Sequence, residues 1–212
     1  MAKLRQNRGL TYGIGVNDVD YAVNTRVGSK QVHCPFYQTW VNMLKRCYSE
    51  GWKKKYPTYE DCFVCEEWHS LKNFRAWMES QDWEGNQLDK DLLVKGNKEY
   101  SPETCAFVPR WLNNILLAPK SVDSKYPLGV SSSRKNFQAA TGGDGKAKYV
   151  GTSKCPKEAH AMWQIAKAEA IESCVAQWTL HKSYRQDVAD SLTARAAVLR
   201  FEFENRLETT DL

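Results

Sequence analysis

The chain has 212 residues, of which 42% are hydrophobic and 12% aromatic, and its formal net charge is +5. This length allows one ordinary domain or two small ones, and this hydrophobic content excludes wholesale disorder. No apolar stretch reaches the about 20 residues that cross a bilayer, and no signal-peptide pattern opens the chain, so we expect a cytoplasmic protein in a reducing compartment, without a membrane partner.

The N-terminal half predicts short, mixed elements. The first 33 residues read as an extended basic segment that is interrupted by glycines. Pro35 then opens a helix that ends near Tyr48, because apolar residues recur at helical spacing. The following "SEGWKKKYPTYED" breaks this pattern, "CFVCEEW" reads as a short strand or knuckle, and Ser70 is expected to cap a second helix. Two strands, "LDKDLLV" and "TCAFVP", and the short helix "RWLNNILL" complete this half.

The C-terminal half begins after a composition change at residues 118–125, which we interpret as a linker. Three short strands follow, "LGVSSSRK", "FQAATGG" and "AKYVGTSK", and a Gly-Asp-Gly turn joins the last two. Pro156 opens a long helix with a narrow, alanine-rich face. We therefore predict an α+β protein whose residues 126–178 form a three-stranded antiparallel sheet plus a helix, with a helical tail over residues 179–212.

Positive charge is concentrated in the second half of the chain. Residues 120–154 hold seven basic and two acidic residues, a net +5 that equals the charge of the whole chain. A basic patch on a mixed background favours a polyanionic partner, and a solvated basic surface is the alternative.

A sequence pattern gives this patch a more specific interpretation. Its members are Gly129-Val130, Phe137, Ala139, Tyr149-Val150-Gly151-Thr152 and Glu158-Ala159. The pattern resembles the ethylene-response-factor type DNA-binding domain of plant transcription factors, which phage and mobile-element endonucleases also carry. The resemblance implies that the sheet enters the major groove of double-stranded DNA while the helix packs behind it.

Strand alternation then selects the side chains that would meet the DNA. If Phe137, Ala139 and Thr141 face the helix, Gln138 and Ala140 face outward. Arg134 and Gln138 are the candidates for base edges, and the lysines are candidates for phosphates. The full predicted DNA-binding set is Arg134, Lys135, Gln138, Lys146, Lys148 and Lys154.

Residues 34–117 carry a second set of motifs. These are Leu88-Asp89-Lys90-Asp91, the stretch "YSPETCAF", and Asn113-Asn114. They resemble phage-type HNH (homing) endonucleases, whose ββα unit holds one divalent metal ion. The resemblance implies that Asp89 and either Asn113 or Asn114 bind magnesium or manganese, with Asp91 beside them.

The expected general base is absent from this motif. Lys90 stands where the better-known HNH enzymes have histidine, and a lysine near its ordinary pKa is protonated at neutral pH. Lys90 could act as a base only if burial lowered its pKa strongly, and otherwise it could stabilise a phosphate. His69 is the nearest histidine after His33, and no spacing brings it to Asp89.

Seven cysteines are many for a chain in a reducing compartment, and four of them lie between residues 47 and 105. Cys62-x-x-Cys65 is half of a zinc knuckle, and Cys47 and Cys105 are the most plausible second pair, with Cys34 as another possible ligand. The alternative is a set of buried free thiols that pack as small hydrophobes.

Together these features predict sequence-guided cleavage or nicking of double-stranded DNA. The alternatives are a DNA-binding regulator without catalysis, and an interaction protein that holds a host partner through its helical tail. Trp52, in a loop with three lysines, could in addition grip phosphates and stack on a base, or belong to a solvated loop.

Overall fold

The computed structural model describes residues 9–117, 125–143 and 146–212. Contacts within the chain divide it into two compact units, with the boundary between Phe107 and Val108. The short helix that sequence analysis assigned to the nuclease-like half therefore belongs to the second unit. Most of the predicted linker lies outside the described residues.

The described part of the first unit has short strands and three α-helices, two of which the sequence pattern predicts. Its helices are α1 (Pro35–Tyr48), α2 (Glu50–Lys55) and α3 (Leu71–Glu79). Its strands are β1 (Asn24–Val27), β2 (Lys30–His33), β3 (Phe63–Val64), β4 (Gln87–Asp89), β5 (Glu99–Tyr100) and β6 (Ala106–Val108), which ends just past the boundary.

The helix starts follow from local signals. Pro35 occupies the first turn of α1, where its missing N–H costs nothing. The hydroxyl oxygen of Ser70 accepts a hydrogen bond from Asn73 N, and this bond confirms the predicted cap of α3. The helix α2 was not predicted, because its sequence Glu-Gly-Trp-Lys-Lys-Lys has no apolar periodicity, and the structure buries none of its residues.

An aromatic core holds the first unit together. Trp40 and Trp68 are completely buried, and the indole N–H of Trp40 donates to the carbonyl oxygen of Trp68 at 2.7 Å. Phe74 and Trp77 of α3 pack against Trp68 with ring centroids 5.1 and 4.4 Å away. Trp40 lies on the apolar face that the helical spacing predicts for α1, and Phe74 and Trp77 lie on that of α3.

Within residues 9–108, the strands form three two-stranded sheets. Strand β1 pairs antiparallel with β2, β3 pairs parallel with β5, and β4 pairs with β6. The β4–β6 pair lies where the strands "LDKDLLV" and "TCAFVP" were predicted, and β6 keeps three of its predicted residues. The first prediction was wrong beyond Asp89, because β4 ends there and residues 90–94 bend away from the strand.

The second unit has the predicted sheet and helices. Its elements are α4 (Arg110–Asn113), β7 (Val130–Ser133), β8 (Asn136–Gly143), β9 (Lys146–Ser153), α5 (Pro156–Trp178) and α6 (Gln186–Glu204). The three strands form one antiparallel sheet in the order β7-β8-β9, and α5 packs against them and against α6. The α+β class is thus confirmed.

The C-terminal segment folds back onto α5. The N–H of Thr209 donates to His160 Nε2 at 3.0 Å, and the other ring nitrogen of His160 lies 2.9 Å from the carbonyl oxygen of Leu128. Gln164 donates to the carbonyl oxygen of Leu207 and to the Thr209 hydroxyl. Phe203 of α6 is 39% exposed. Among the described residues, no helix has the length and hydrophobicity needed to span a membrane.

Candidate nucleic-acid interface

The sheet of the second unit presents one face to α5 and leaves the other open. On the closed face, Val130, Ala139 and Thr141 are buried. Gly129 has a φ of +74°, and a Cβ atom there would lie 2.0 Å from Cδ1 of Trp163. Only glycine allows this approach, so the first residue of the predicted motif is explained by close packing between the sheet and the helix.

The cross-strand register identifies the side chains of the open face. Gln138 lies opposite Ser131 on one side and Thr152 on the other, and Ala140 lies opposite Tyr149. Residues that lie directly opposite each other point to the same face of a sheet. The open face therefore includes Ser131, Gln138, Ala140, Tyr149 and Thr152.

Tyr149 reaches this face because of an irregularity in β9. Ala139 pairs with Gly151 and the next residue, Ala140, pairs with Tyr149, so Val150 is an extra residue in β9. Strict alternation from Gly151 would have turned Tyr149 toward the helix. The bulge turns it outward instead, and its side chain is 59% exposed. Tyr149 was not among the predicted DNA contacts, because only the register shows its orientation.

The bulge also affects Lys148. This lysine is exposed, but it lies opposite Thr141 and so shares the face of the buried side chains rather than that of Tyr149. Of the other predicted contacts, Gln138 is half-buried in the centre of the open face. Arg134 and Lys135 form the exposed turn between β7 and β8, and Arg134 has a φ of +55°.

The sheet carries positive charge at several edges. Lys154 is exposed just after β9. The side chain of Lys146 and the predicted Gly-Asp-Gly turn at Asp144 lie outside the described residues. Within residues 125–143 and 146–154 the sequence has no carboxylate, so the described part of the sheet is flanked by cations alone.

The acidic turn of the first unit is held by its own hydrogen bonds. Asp89 Oδ1 accepts from the backbone N–H of Asp91 and of Leu92, at 2.8 and 2.7 Å. The Lys90 ammonium group donates to Asp91 and, at 2.6 Å, to the carbonyl oxygen of Asn97. The Asn97 amide donates back to the carbonyl oxygens of Lys90 and Glu99. The residues with predicted chemical roles thus stabilise the turn in which they lie.

This arrangement opposes a role for Lys90 as a general base. Burial alone would lower the pKa of Lys90, but the hydrogen bond and negative charge of Asp91 outweigh burial and raise the pKa above its ordinary value. The ammonium group therefore stays protonated at neutral pH and cannot accept a proton from water. His69 does not replace it by any described contact, because its Nε2 lies 3.1 Å from the carbonyl oxygen of Val64.

Burial has the opposite effect on the pKa of the neighbouring carboxyl group, Asp89. It raises the pKa of Asp89, and the charge of Asp91 adds to this effect, while the hydrogen bond from Leu92 opposes it. Both predicted acidic residues thus have partners within the turn. Asn113 and Asn114 belong to the second unit, so a magnesium or manganese site shared by them and Asp89 stays a prediction.

The predicted zinc ligands are mostly buried free thiols. Cys47, Cys62 and Cys105 are buried and Cys65 is half-buried. Burial raises the pKa of Cys47 and Cys105 to about 12, and Cys62 donates to the carbonyl oxygen of Thr58 at 3.7 Å. Among the described residues, no three or more His, Cys, Asp or Glu side chains are grouped as a metal site. Zinc binding stays a prediction.

The lysine-rich stretch around Trp52 is a short helix rather than a loop. The ammonium group of Lys45 lies 4.6 Å from the centre of the Trp52 ring, and Lys55 lies 5.3 Å from the centre of the Tyr56 ring. The Trp52 and Tyr56 rings are themselves 4.5 Å apart. These rings contact the chain's own cations, which favours a role in holding the lysines over one in stacking on a base.

No protein-family model, curated protein or solved structure matches this chain.

Proposed function

We propose that this chain binds double-stranded DNA through the open face of the sheet β7-β8-β9. One observation carries the proposal: a small, neutral face with an exposed tyrosine lies among cations. Ser131, Ala140 and Thr152 are short side chains that leave room for base edges, and Gln138 offers an amide that can hydrogen bond to adenine. A β-ribbon of this kind fits the major groove, which is about 12 Å wide.

The surrounding residues divide into two roles. Arg134, in the turn at one end of the sheet, can donate two hydrogen bonds to guanine. Lys135 and Lys154 supply charge for phosphates, which fixes orientation without reading sequence. Tyr149 adds an exposed ring and a hydroxyl group on the face that would meet the groove.

A matched pair of variants tests this assignment. Arg134→Ala and Lys148→Ala each remove one exposed cation, but the register places Lys148 on the opposite face from Tyr149. Binding sites are first selected from randomised duplex DNA with the wild-type chain, and affinities are then measured by fluorescence anisotropy. We expect Arg134→Ala and Tyr149→Ala to weaken binding to the selected site by about tenfold, since one good base contact contributes about 1–3 kcal/mol.

Lys148→Ala should leave the selected sequence unchanged. It should lower the slope of log affinity against log salt concentration by no more than the loss of about one phosphate contact would. Equal effects of Arg134→Ala and Lys148→Ala at every sequence would contradict base reading by the open face. A wild-type chain that binds no duplex at low salt would refute the proposal as a whole.

Metal-dependent cleavage of the phosphodiester backbone is a second candidate. It is supported by the position of Asp89 at the end of β4, which pairs with β6 as the resemblance to HNH endonucleases implies. Incubation with supercoiled plasmid and magnesium or manganese tests it: nicking by the wild type that is lost in Asp89→Asn would support cleavage. DNA binding without nicking, equal in both proteins, would leave a DNA-binding regulator.

A further inference from the structure

The hairpin β1–β2 of the first unit has an exposed surface that serves no evident structural purpose. Every described side chain of the two strands is exposed, including Val32 at 46%. The hairpin is joined to the core at its base, where Cys34 N donates to the carbonyl oxygen of Val23. An isolated two-stranded hairpin is marginally stable in water, and the exposed side chains of this one bury little surface, so the hairpin contributes little to the stability of the unit.

The register of the hairpin assigns its side chains to two faces. Asn24 lies opposite His33, and Arg26 lies opposite Gln31, so these four polar side chains share one face. Thr25 lies opposite Val32 on the other face, which Lys30 shares because it pairs with Val27. At the base of the polar face, His33 Nδ1 lies 2.6 Å from Asn24 Oδ1. Arg26 and Gln31 stand nearer the tip and are both exposed.

The charge of the hairpin has a single sign. Residues 21–33 contain Arg26 and Lys30 and no acidic residue. Arginine and glutamine are the side chains that make paired hydrogen bonds to guanine and adenine, and an antiparallel two-stranded ribbon fits the major groove. The chain thus carries, in its first unit, a second ribbon with the features that support DNA binding by the sheet of the second unit.

We infer that the hairpin β1–β2 is a second DNA-reading element, whose polar face contacts base edges through Arg26 and Gln31. This inference rests on the proposed function, because it assumes that the chain binds duplex DNA. It extends that function, because it assigns part of the recognised sequence to the first unit. Lys30, near the tip, would contribute to phosphate binding.

The test uses the full chain and selection from randomised duplex DNA. The double variant Arg26→Ala/Gln31→Ala is compared with the wild type and with Thr25→Ala/Val32→Ala, which alters the opposite face. We expect the wild type to select certain base pairs that Arg26→Ala/Gln31→Ala no longer selects and that Thr25→Ala/Val32→Ala still does. Arg26→Ala/Gln31→Ala should also bind the wild-type site about tenfold more weakly. The preference lost in Arg134→Ala should be a different part of the site.

Folding can be checked separately, because the substituted side chains are exposed: circular dichroism and thermal unfolding should match the wild type. An unchanged site and affinity in Arg26→Ala/Gln31→Ala would overturn the inference, and so would equal weakening at all sequences, which indicates phosphate contacts alone. If sedimentation shows that the wild type is a dimer and that Arg26→Ala/Gln31→Ala is a monomer, the hairpin edge binds a second copy of the chain instead of DNA. A wild type that selects no sequence and binds no duplex would refute the proposed function itself.

Discussion

Lys90 in the first unit and Lys167 in the second are both removed from solvent, at 5% and 0% exposure, and their pKa values move in opposite directions. Lys90 donates to the Asp91 carboxylate and to a carbonyl oxygen, and its pKa is raised. Lys167 donates to the carbonyl oxygen of Leu117 at 3.0 Å, and burial lowers its pKa to about 8.

The difference shows what burial of a charge requires. Desolvation disfavours the ammonium form at both positions, and a neighbouring carboxylate outweighs it only at Lys90. The first unit therefore uses its buried lysine as a structural cation. The second unit contains one whose charge opposes folding at neutral pH, so substitutions at the two sites should have opposite effects.

The largest effect is expected from Lys90→Met. This substitution removes the two hydrogen bonds that the buried ammonium group donates, to Asp91 and to the carbonyl oxygen of Asn97, and we expect the free energy of unfolding to fall by about 3 kcal/mol. Urea unfolding measures this change, and hydrogen exchange of the turn between β4 and β5 locates it. Lys54→Met, at an exposed position of α2, is the matched control and should stay within about 0.5 kcal/mol. Wild-type stability in Lys90→Met would show that the pair is not needed.

How far the sequence predicts these features depends on the range of the forces. Helix starts at Pro35, Ser70 and Pro156 were predicted correctly, because a cap or a proline acts within one turn. The three strands of the second unit were also predicted, because turn residues separate them. The outward orientation of Tyr149 was not predictable, since it depends on a bulge that exists only in the paired strands.

The site residues illustrate the same limit. The motif drew attention to Asp89 and Lys90, but it was read as a strand through Val94, and the turn that follows Asp89 was not predicted. The sequence also left open whether Lys90 would have a lowered pKa. Its pKa is decided by the Asp91 contact and by the position of the Asn97 carbonyl group, which follow from the folded turn. The polar face of the hairpin β1–β2 likewise becomes visible only when its register is known.

Lys167→Met should raise the free energy of unfolding at neutral pH, whereas Lys90→Met should lower it. A pKa of about 8, against the ordinary 10.5, corresponds to a cost of about 3 kcal/mol for the buried charge, and loss of the hydrogen bond to Leu117 offsets about 1 kcal/mol. We therefore expect the variant to be more stable than the wild type by about 2 kcal/mol at pH 7.

The pH dependence of that difference gives an internal check. Between pH 8 and 10.5 the unfolded chain binds more protons at Lys167 than the folded chain does, so wild-type stability at this site rises with pH. The advantage of Lys167→Met should therefore shrink across this window, when urea unfolding of both proteins is measured from pH 7 to 10. Since the other groups titrate equally in the wild type and in Lys167→Met, a stability difference that stays constant with pH would contradict the lowered pKa of Lys167.

The smallest effect is expected from Asp91→Asn, which makes the surroundings of Lys90 resemble those of Lys167. The Asp91 side chain is 54% exposed, so solvent screens its charge, and we expect a loss of about 1 kcal/mol. A double-mutant cycle with Lys90→Met separates the pair from its surroundings. If the carboxylate stabilises the buried ammonium group, Asp91→Asn should have little further effect once Lys90 is replaced. Equal losses from Asp91→Asn in both backgrounds would mean that Asp91 acts through the turn backbone, and that the contrast with Lys167 has another cause.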